Sequence, residues 1–126
     1  MGNKSSTPTI SASTSVPDLV GLARDGTDDQ KRLAADALLN CASNNPANQD
    51  AVRNAGGIAV LVGLARDGTD AQKQNAAGAL WNCAADNPAN KDAVRNAGGI
   101  GVLVGLARDG TDEQKEQAAG DRKSVV

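Results

Sequence analysis

The 126-residue chain has no histidine, no phenylalanine and no tyrosine, a single tryptophan at Trp81, and only two cysteines, Cys41 and Cys83. Without histidine, the commonest general base and the commonest nitrogen ligand for metals are both missing, which leaves enzyme and zinc-site readings little to start from. With one aromatic ring in the chain there is no stacking platform for nucleotide bases. The 13 basic and 15 acidic residues give a net charge of -2 and form no dense basic cluster, so nucleic acid is not expected as a partner. There is neither a secretory signal nor an apolar run of about 18 residues, and the expected setting is cytoplasmic and reducing. A core of Ala, Val and Leu is thin for this length and must draw stability from regular packing of small residues.

What the chain does have is self-similarity. "NNPANQDAVRNAGGIAVLVGLARDGTDAQKQNAAGALWNCAA" runs on into "DNPANKDAVRNAGGIGVLVGLARDGTDEQKEQAAG" at an offset of 42 residues, a period that points to a helical solenoid. Each copy divides into three helical segments. The first opens on Asn45-Pro46 or Asn87-Pro88, an N-cap followed by proline at the first helical position, and closes at Gly56-Gly57 or Gly98-Gly99, which suit a left-handed helix end. The second, "IAVLVGLARD" from Ile58, is apolar nearly all round and should be buried, with Gly63 and Gly105 expected to permit close helix approach. The third begins at Thr69 and places Ala76, Ala77, Leu80, Cys83 and Ala84 on one face, with polar residues expected opposite. No segment can bury its apolar surface without the adjacent copy.

The most chemical-looking motif is "ARDGTD", present from Ala23 to Asp28, Ala65 to Asp70 and Ala107 to Asp112. A calcium loop needs six or seven oxygen ligands at alternate positions, ending in a bidentate Glu, but after Asp70 the chain offers Ala71, Gln72 and Lys73. As a turn between helices every residue has a structural task. Arg66 suits the C-terminal end of the second helix, Gly68 a left-handed position beyond it, Thr69 the next N-cap, and Asp70 the first turn, while Thr69 with Gln72 forms a capping box that Thr27 with Gln30 and Thr111 with Gln114 repeat.

If the turns are structural, the exposed face of the third segment is the candidate site, because equivalent faces of a solenoid line up across repeats. In the middle repeat that face carries Gln74, Gly78, Asn82 and Asp86, with Trp81 beside Asn82; the first repeat offers Arg32, Asp36 and Asn40, with Leu39 matching Trp81. Asn40 and Asn82 stand in mid-helix, where asparagine is mildly unfavourable and needs a reason. Either their amides donate to and accept from a peptide backbone, or they bond within the scaffold to a neighbouring repeat. Trp81 is correspondingly a wall of the groove or filling between repeats. Cys41 and Cys83, on stacked helices whose axes lie about 8–10 Å apart, read as small core residues too distant for a disulfide and unable to make a zinc site.

This order of short, buried and amphipathic helices over 42 residues, with "NAGGIAVLVGLARDG" followed by "AAGALWNCAA", resembles the armadillo repeat of beta-catenin-like and importin-alpha-like proteins across roughly residues 16 to 120. The resemblance implies an all-α fold, a right-handed solenoid of about two and a half three-helix repeats. It also implies a non-catalytic interaction scaffold that holds an extended peptide antiparallel in a groove lined by the third helices. Asn40 and Asn82 would be its backbone clamps, with Trp81, Gln74, Gly78, Asp36 and Arg32 as neighbouring contacts. Importin-like repeats carry a Trp four residues before that Asn, where this chain has Asp36 and Gly78; "ALWN" is closer to catenin-type and acylated membrane-adaptor members.

Residues 1–15, Ser/Thr-rich, are expected as a flexible tail, followed by a partial repeat at 16–43, a full repeat at 45–85, a repeat truncated in its third helix at 87–120, and a C-terminal tail at 121–126. Met1-Gly2-Asn3-Lys4-Ser5-Ser6 fits the N-myristoylation pattern at Gly2, and one such chain gives only weak, reversible membrane association. Ser124-Val125-Val126 could offer a carboxylate to a PDZ-type domain. Asn3-Lys4-Ser5 matches a glycosylation acceptor in letters only. No cofactor and no metal are expected. The second functional reading is a structural fragment that self-associates through open repeat ends, where Val16, Leu19, Val20 and Leu22 would lack a cover.

Overall fold

The computed structural model describes residues 10–11 and 13–118. Among them are eight helices and no strand: α1 (Val16–Asp25), α2 (Asp28–Ala42), α3 (Pro46–Asn54), α4 (Gly57–Asp67), α5 (Asp70–Ala84), α6 (Pro88–Asn96), α7 (Gly99–Asp109) and α8 (Asp112–Ala118). The middle repeat is α3, α4 and α5. The first supplies only the second and third helices, α1 and α2, and the third supplies α6, α7 and the start of α8. The third helices α2, α5 and α8 pack in succession, and α4 packs on both α5 and its counterparts α1 and α7.

Local chemistry sets the helix ends. Thr27, Thr69 and Thr111 each accept from the backbone N–H three residues on, and the side chains of Gln30, Gln72 and Gln114 accept from the threonine N–H in return, at 2.8 to 3.2 Å. The capping boxes of all three ARDGTD turns are therefore formed. Asn45 and Asn87 cap α3 and α6 ahead of their prolines. Gly56 and Gly98 take the left-handed conformation, at φ 80° and 81°, at the turn into the buried helix.

Gly68 differs from its expected conformation. It is extended, with φ -76° and ψ -177°, as are Gly26 and Gly110, so a left-handed φ is not the reason for glycine. Space is the reason: a Cβ at Gly68 would stand 2.6 Å from the Leu64 carbonyl oxygen and 2.7 Å from Gln72 Oε1, the atom that completes the capping box.

Burial follows the repeat. Ile58, Leu61 and Val62 of α4 are buried with Leu19 and Val20 of α1 and with Ala76, Ala77, Leu80 and Cys83 of α5. The exposed end lies opposite to where it was expected. Leu19 and Val20 are 3% and 1% exposed, because α2, α3 and α4 pack on α1, and Ile10 rests on the same core. Ile100 and Val104 of α7, the counterparts of buried Ile58 and Val62, are 53% and 55% exposed. Of the segment expected as a flexible tail, the residues just before α1 are engaged: Thr14 N–H donates to the Ser11 carbonyl and Ser15 caps α1.

Gly63 and Gly105 also differ from their expected role. A Cβ at either would meet no atom within 4 Å, so neither serves close helix approach; that role falls to Gly57 and Gly99, where a Cβ would lie 2.7 Å from Val52 Cγ1 and Val94 Cγ1 respectively. A mid-helix glycine facing open space costs backbone entropy and returns no packing. Gly63→Ala and Gly105→Ala should therefore each raise unfolding free energy by about 0.5–1 kcal/mol in urea titration, whereas Gly99→Ala, crowded against Val94, should lower it.

Candidate functional site

The third helices are held side by side by polar side chains that reach back one repeat to backbone carbonyls. Gln72 Nε2 donates to the Asp28 carbonyl at 2.9 Å, Asn75 Nδ2 to that of Arg32 at 3.2 Å, and Asn82 Nδ2 to that of Leu39 at 2.8 Å. One repeat on, Gln114 Nε2 donates to the Asp70 carbonyl at 3.1 Å, and Trp81 reaches forward, its indole N–H donating to the Ala118 carbonyl at 2.7 Å.

Leu39 carries one of the last four carbonyls of α2, which have no partner within the helix. The other three are met by the Ser43 N–H, by Asn48 Nδ2 and by Gln49 Nε2. At the end of α5 the Asn82 carbonyl accepts from Gln49 Nε2 at 3.0 Å and the Cys83 carbonyl from Asn90 Nδ2 at 2.7 Å. Gln49 and Asn90 are buried, and between them they tie together the ends of two third helices and both first helices. Asn87 Nδ2 donates to Gln49 Oε1 and Asp50 Oδ1, and Arg53 Nη1 to Asn90 Oδ1 and Asp50 Oδ1.

The expected stripe is accordingly only partly exposed. Asp36 and Asn40 are exposed on α2, Arg32 is half-buried and ion-paired to Asp29 at 2.6 Å, and Gln74 is half-buried on α5. Gly78 and Asn82 are buried, since α5 has a third helix on either side. A Cβ at Gly78 would stand 2.5 Å from Leu39 Cδ1 and 2.6 Å from Gln117 Oε1, so its glycine serves helix approach. Trp81 is half-buried between α5 and α8. Asp86 stands apart from the stripe, in the turn after α5 at φ 54°.

The two asparagines are not equivalent in bonding. Asn82 commits its N–H to the scaffold, while its Oδ1 has no donor among the described residues; the residue lines a cleft of about 240 Å³ with Ser43, Asn44, Pro46, Gln49, Ala85 and Asp86. Asn40 stands on the first third helix among the described residues, and its whole amide is without a partner among them. Sequence reasoning missed Gln49, Asn75 and the buried roles of Asn87 and Asn90. The recurrence of "NPAN" was the available signal for the last two.

Both cysteines are free thiols. Burial, with a smaller contribution from neighbouring Cys41, pushes the Cys83 thiol up to about 12, and burial also raises Cys41. Neither is poised as a thiolate. Among the described residues no group of three or more His, Cys, Asp or Glu side chains could hold a metal ion, and no helix is long and apolar enough to cross a membrane. Gly2 and Ser124 to Val126 lie outside the described residues.

The Asn87 amide and the Arg53 guanidinium, in that order, hold the Asp50 carboxyl below the usual carboxylate range. A carboxyl depressed by folding stabilises the fold above its unfolded value, and that contribution is lost as pH falls through the folded one. Wild type should therefore lose stability from about pH 4 downward. Asp50→Asn should be less stable at neutral pH with a flatter acid limb, so that thermal melts of the two converge in acid.

A family model described as the Armadillo/beta-catenin-like repeat matches residues 45–85. No match is found among curated proteins. Among solved structures, an engineered protein from a structural genomics consortium is 33% identical with a TM-score of 0.78, over 82% of this chain and 42% of that one. Computationally designed armadillo repeat proteins for modular peptide recognition are 29% identical with a TM-score of 0.76, over 82% of this chain and 43% of that one. A further designed armadillo repeat protein is 26% identical with a TM-score of 0.76, over 82% and 44%. The chain thus spans less than half the length of the structures it matches.

Proposed function

Because the chain belongs to the armadillo repeat family, we propose that it is a non-catalytic protein-interaction scaffold whose third helices hold an extended peptide. One observation carries this reading. Asn40 presents an amide with no partner among the described residues, exposed and one repeat from Asn82, whose own free atom is an acceptor. The two could then divide the work on a peptide backbone, Asn40 donating and accepting, Asn82 accepting an N–H. Arg32, Asp36 and Gln74 are accessible beside them and would meet side chains. Designed relatives made for modular peptide recognition support the same reading of the surface. Two clamps reach a short stretch of backbone, so affinity should be modest.

Trp81 is the sole tryptophan, so its emission reports on the α5–α8 boundary without a label. A peptide selected from a random-sequence library should bind wild type and lose about fivefold to tenfold in affinity with Asn40→Ala, at an unchanged melting temperature. Asn82→Ala should lower affinity and melting temperature together, since it also strips the Leu39 carbonyl of its donor. Undiminished affinity in a folded Asn40→Ala variant would sink the clamp.

The same reading takes the chain to be cytoplasmic, with peripheral membrane contact through a myristoylated Gly2. Its support is the sequence pattern. Intact-mass measurement of protein made with an N-myristoyltransferase should show the acyl increment in wild type and not in Gly2→Ala, and vesicle binding of the acylated form should be weak and reversible. An unmodified wild type would remove the membrane from the proposal.

A further inference from the structure

The two ends of the solenoid are built differently. At the leading face, Ser15 and Asp36 occupy the positions of Gly57 and Gly78 in the middle repeat. Those glycines are where one repeat approaches the one before it: a Cβ at Gly57 would lie 2.9 Å from Val20 Cγ2, and one at Gly78 would lie 2.5 Å from Leu39 Cδ1. A serine and a charged aspartate there leave the leading face unfit to seat on a preceding repeat.

The trailing face is the reverse. Ile100 and Val104 are half-exposed where their counterparts Ile58 and Val62 are 4% and 2% exposed, and below them Trp81, Val94 and Leu103 line a slot of about 420 Å³. The slot also holds one acid and one base without a partner among the described residues, Asp86 and Lys91. In the middle repeat the position of Lys91 is filled by Gln49, sealed between repeats with three hydrogen bonds; a lysine cannot be sealed in that way without an anion.

An apolar centre flanked by one unpaired acid and one unpaired base complements its own copy turned through a two-fold axis, each Lys91 facing the other chain's Asp86. A copy's leading face fits this surface poorly, because it carries Ser15 and Asp36 where the middle repeat presents Gly57 and Gly78 to the repeat before it. We propose that the trailing face formed by α5, α6 and α7 is the interface of a two-fold homodimer, with Ile100 and Val104 at its centre and reciprocal Lys91–Asp86 pairs at its rim. The pairing leaves Asn40 and the leading face free, and so stands independently of what the third helices bind.

Sedimentation velocity of the full chain over a dilution series tests it. Wild type should show a monomer–dimer equilibrium, Ile100→Asp should raise the dissociation constant roughly thirtyfold or more, and Leu33→Asp, an exposed apolar residue of the leading face, should leave it unchanged. Lys91→Asp and Asp86→Lys should each be monomeric alone and should dimerise on mixing, which only a reciprocal contact produces; thermal melts establish that each variant is folded. A wild type that is monomeric at every concentration overturns the proposal. So does dissociation by Leu33→Asp as strong as that by Ile100→Asp, which would indicate head-to-tail stacking, or charge variants that stay apart when mixed.

Discussion

The structure depends on how the last carbonyls of each third helix are satisfied. A helix that ends inside a packed solenoid cannot leave those oxygens to water, and an unsatisfied buried carbonyl costs about 1–3 kcal/mol. At the end of α2 they are met by Asn48 and Gln49 from the helix that follows and by Asn82 from the next repeat; at the end of α5, Gln49 and Asn90 do the same. Gln49 is bonded to both third helices at once. The repeats are therefore not beads that happen to touch, because each is completed by amides belonging to its neighbour.

That requirement shapes the surface left for binding. A side chain that hands its N–H to the scaffold has only its oxygen left to offer, and the middle repeat pays in this way for its own cohesion at Asn82. In the first repeat Asn40 bonds no carbonyl among the described residues and keeps both halves of its amide. Along one helix row, residues at identical repeat positions therefore differ in chemistry because they differ in how many neighbours they have.

Most of the fold was legible in the sequence because its signals are local. Asn-Pro at a helix start, Thr with Gln three residues later, and Gly-Gly at a left-handed turn each act within one turn of backbone, and the 42-residue period says how often they recur. Much of what was not legible depends on residues 33 to 44 positions away. Asn82 reads as exposed on a helical wheel and is buried because α2 lies across it; Gly78 reads as a peptide contact on the same face and is where a Cβ would run into Leu39 and Gln117. Glycine serves three different ends in this chain. Gly68 is needed for room beside a carbonyl in ordinary extended backbone, Gly99 for room beside a valine, and Gly63 has nothing near it, yet all three look alike in sequence.

The same contrast separates the ends of the solenoid. A periodic chain that kept every repeat identical would present a leading face fitted to its own trailing face, and heterologous contacts of that kind continue into open filaments when the rotation does not close. Ser15 and Asp36 break the match at the two positions where glycine makes it possible. In the two-fold pairing proposed above, the trailing face around Ile100 covers that of its own copy, and symmetric contacts close. Departure from the repeat at its first turn thus limits what the exposed surface at its last turn can do.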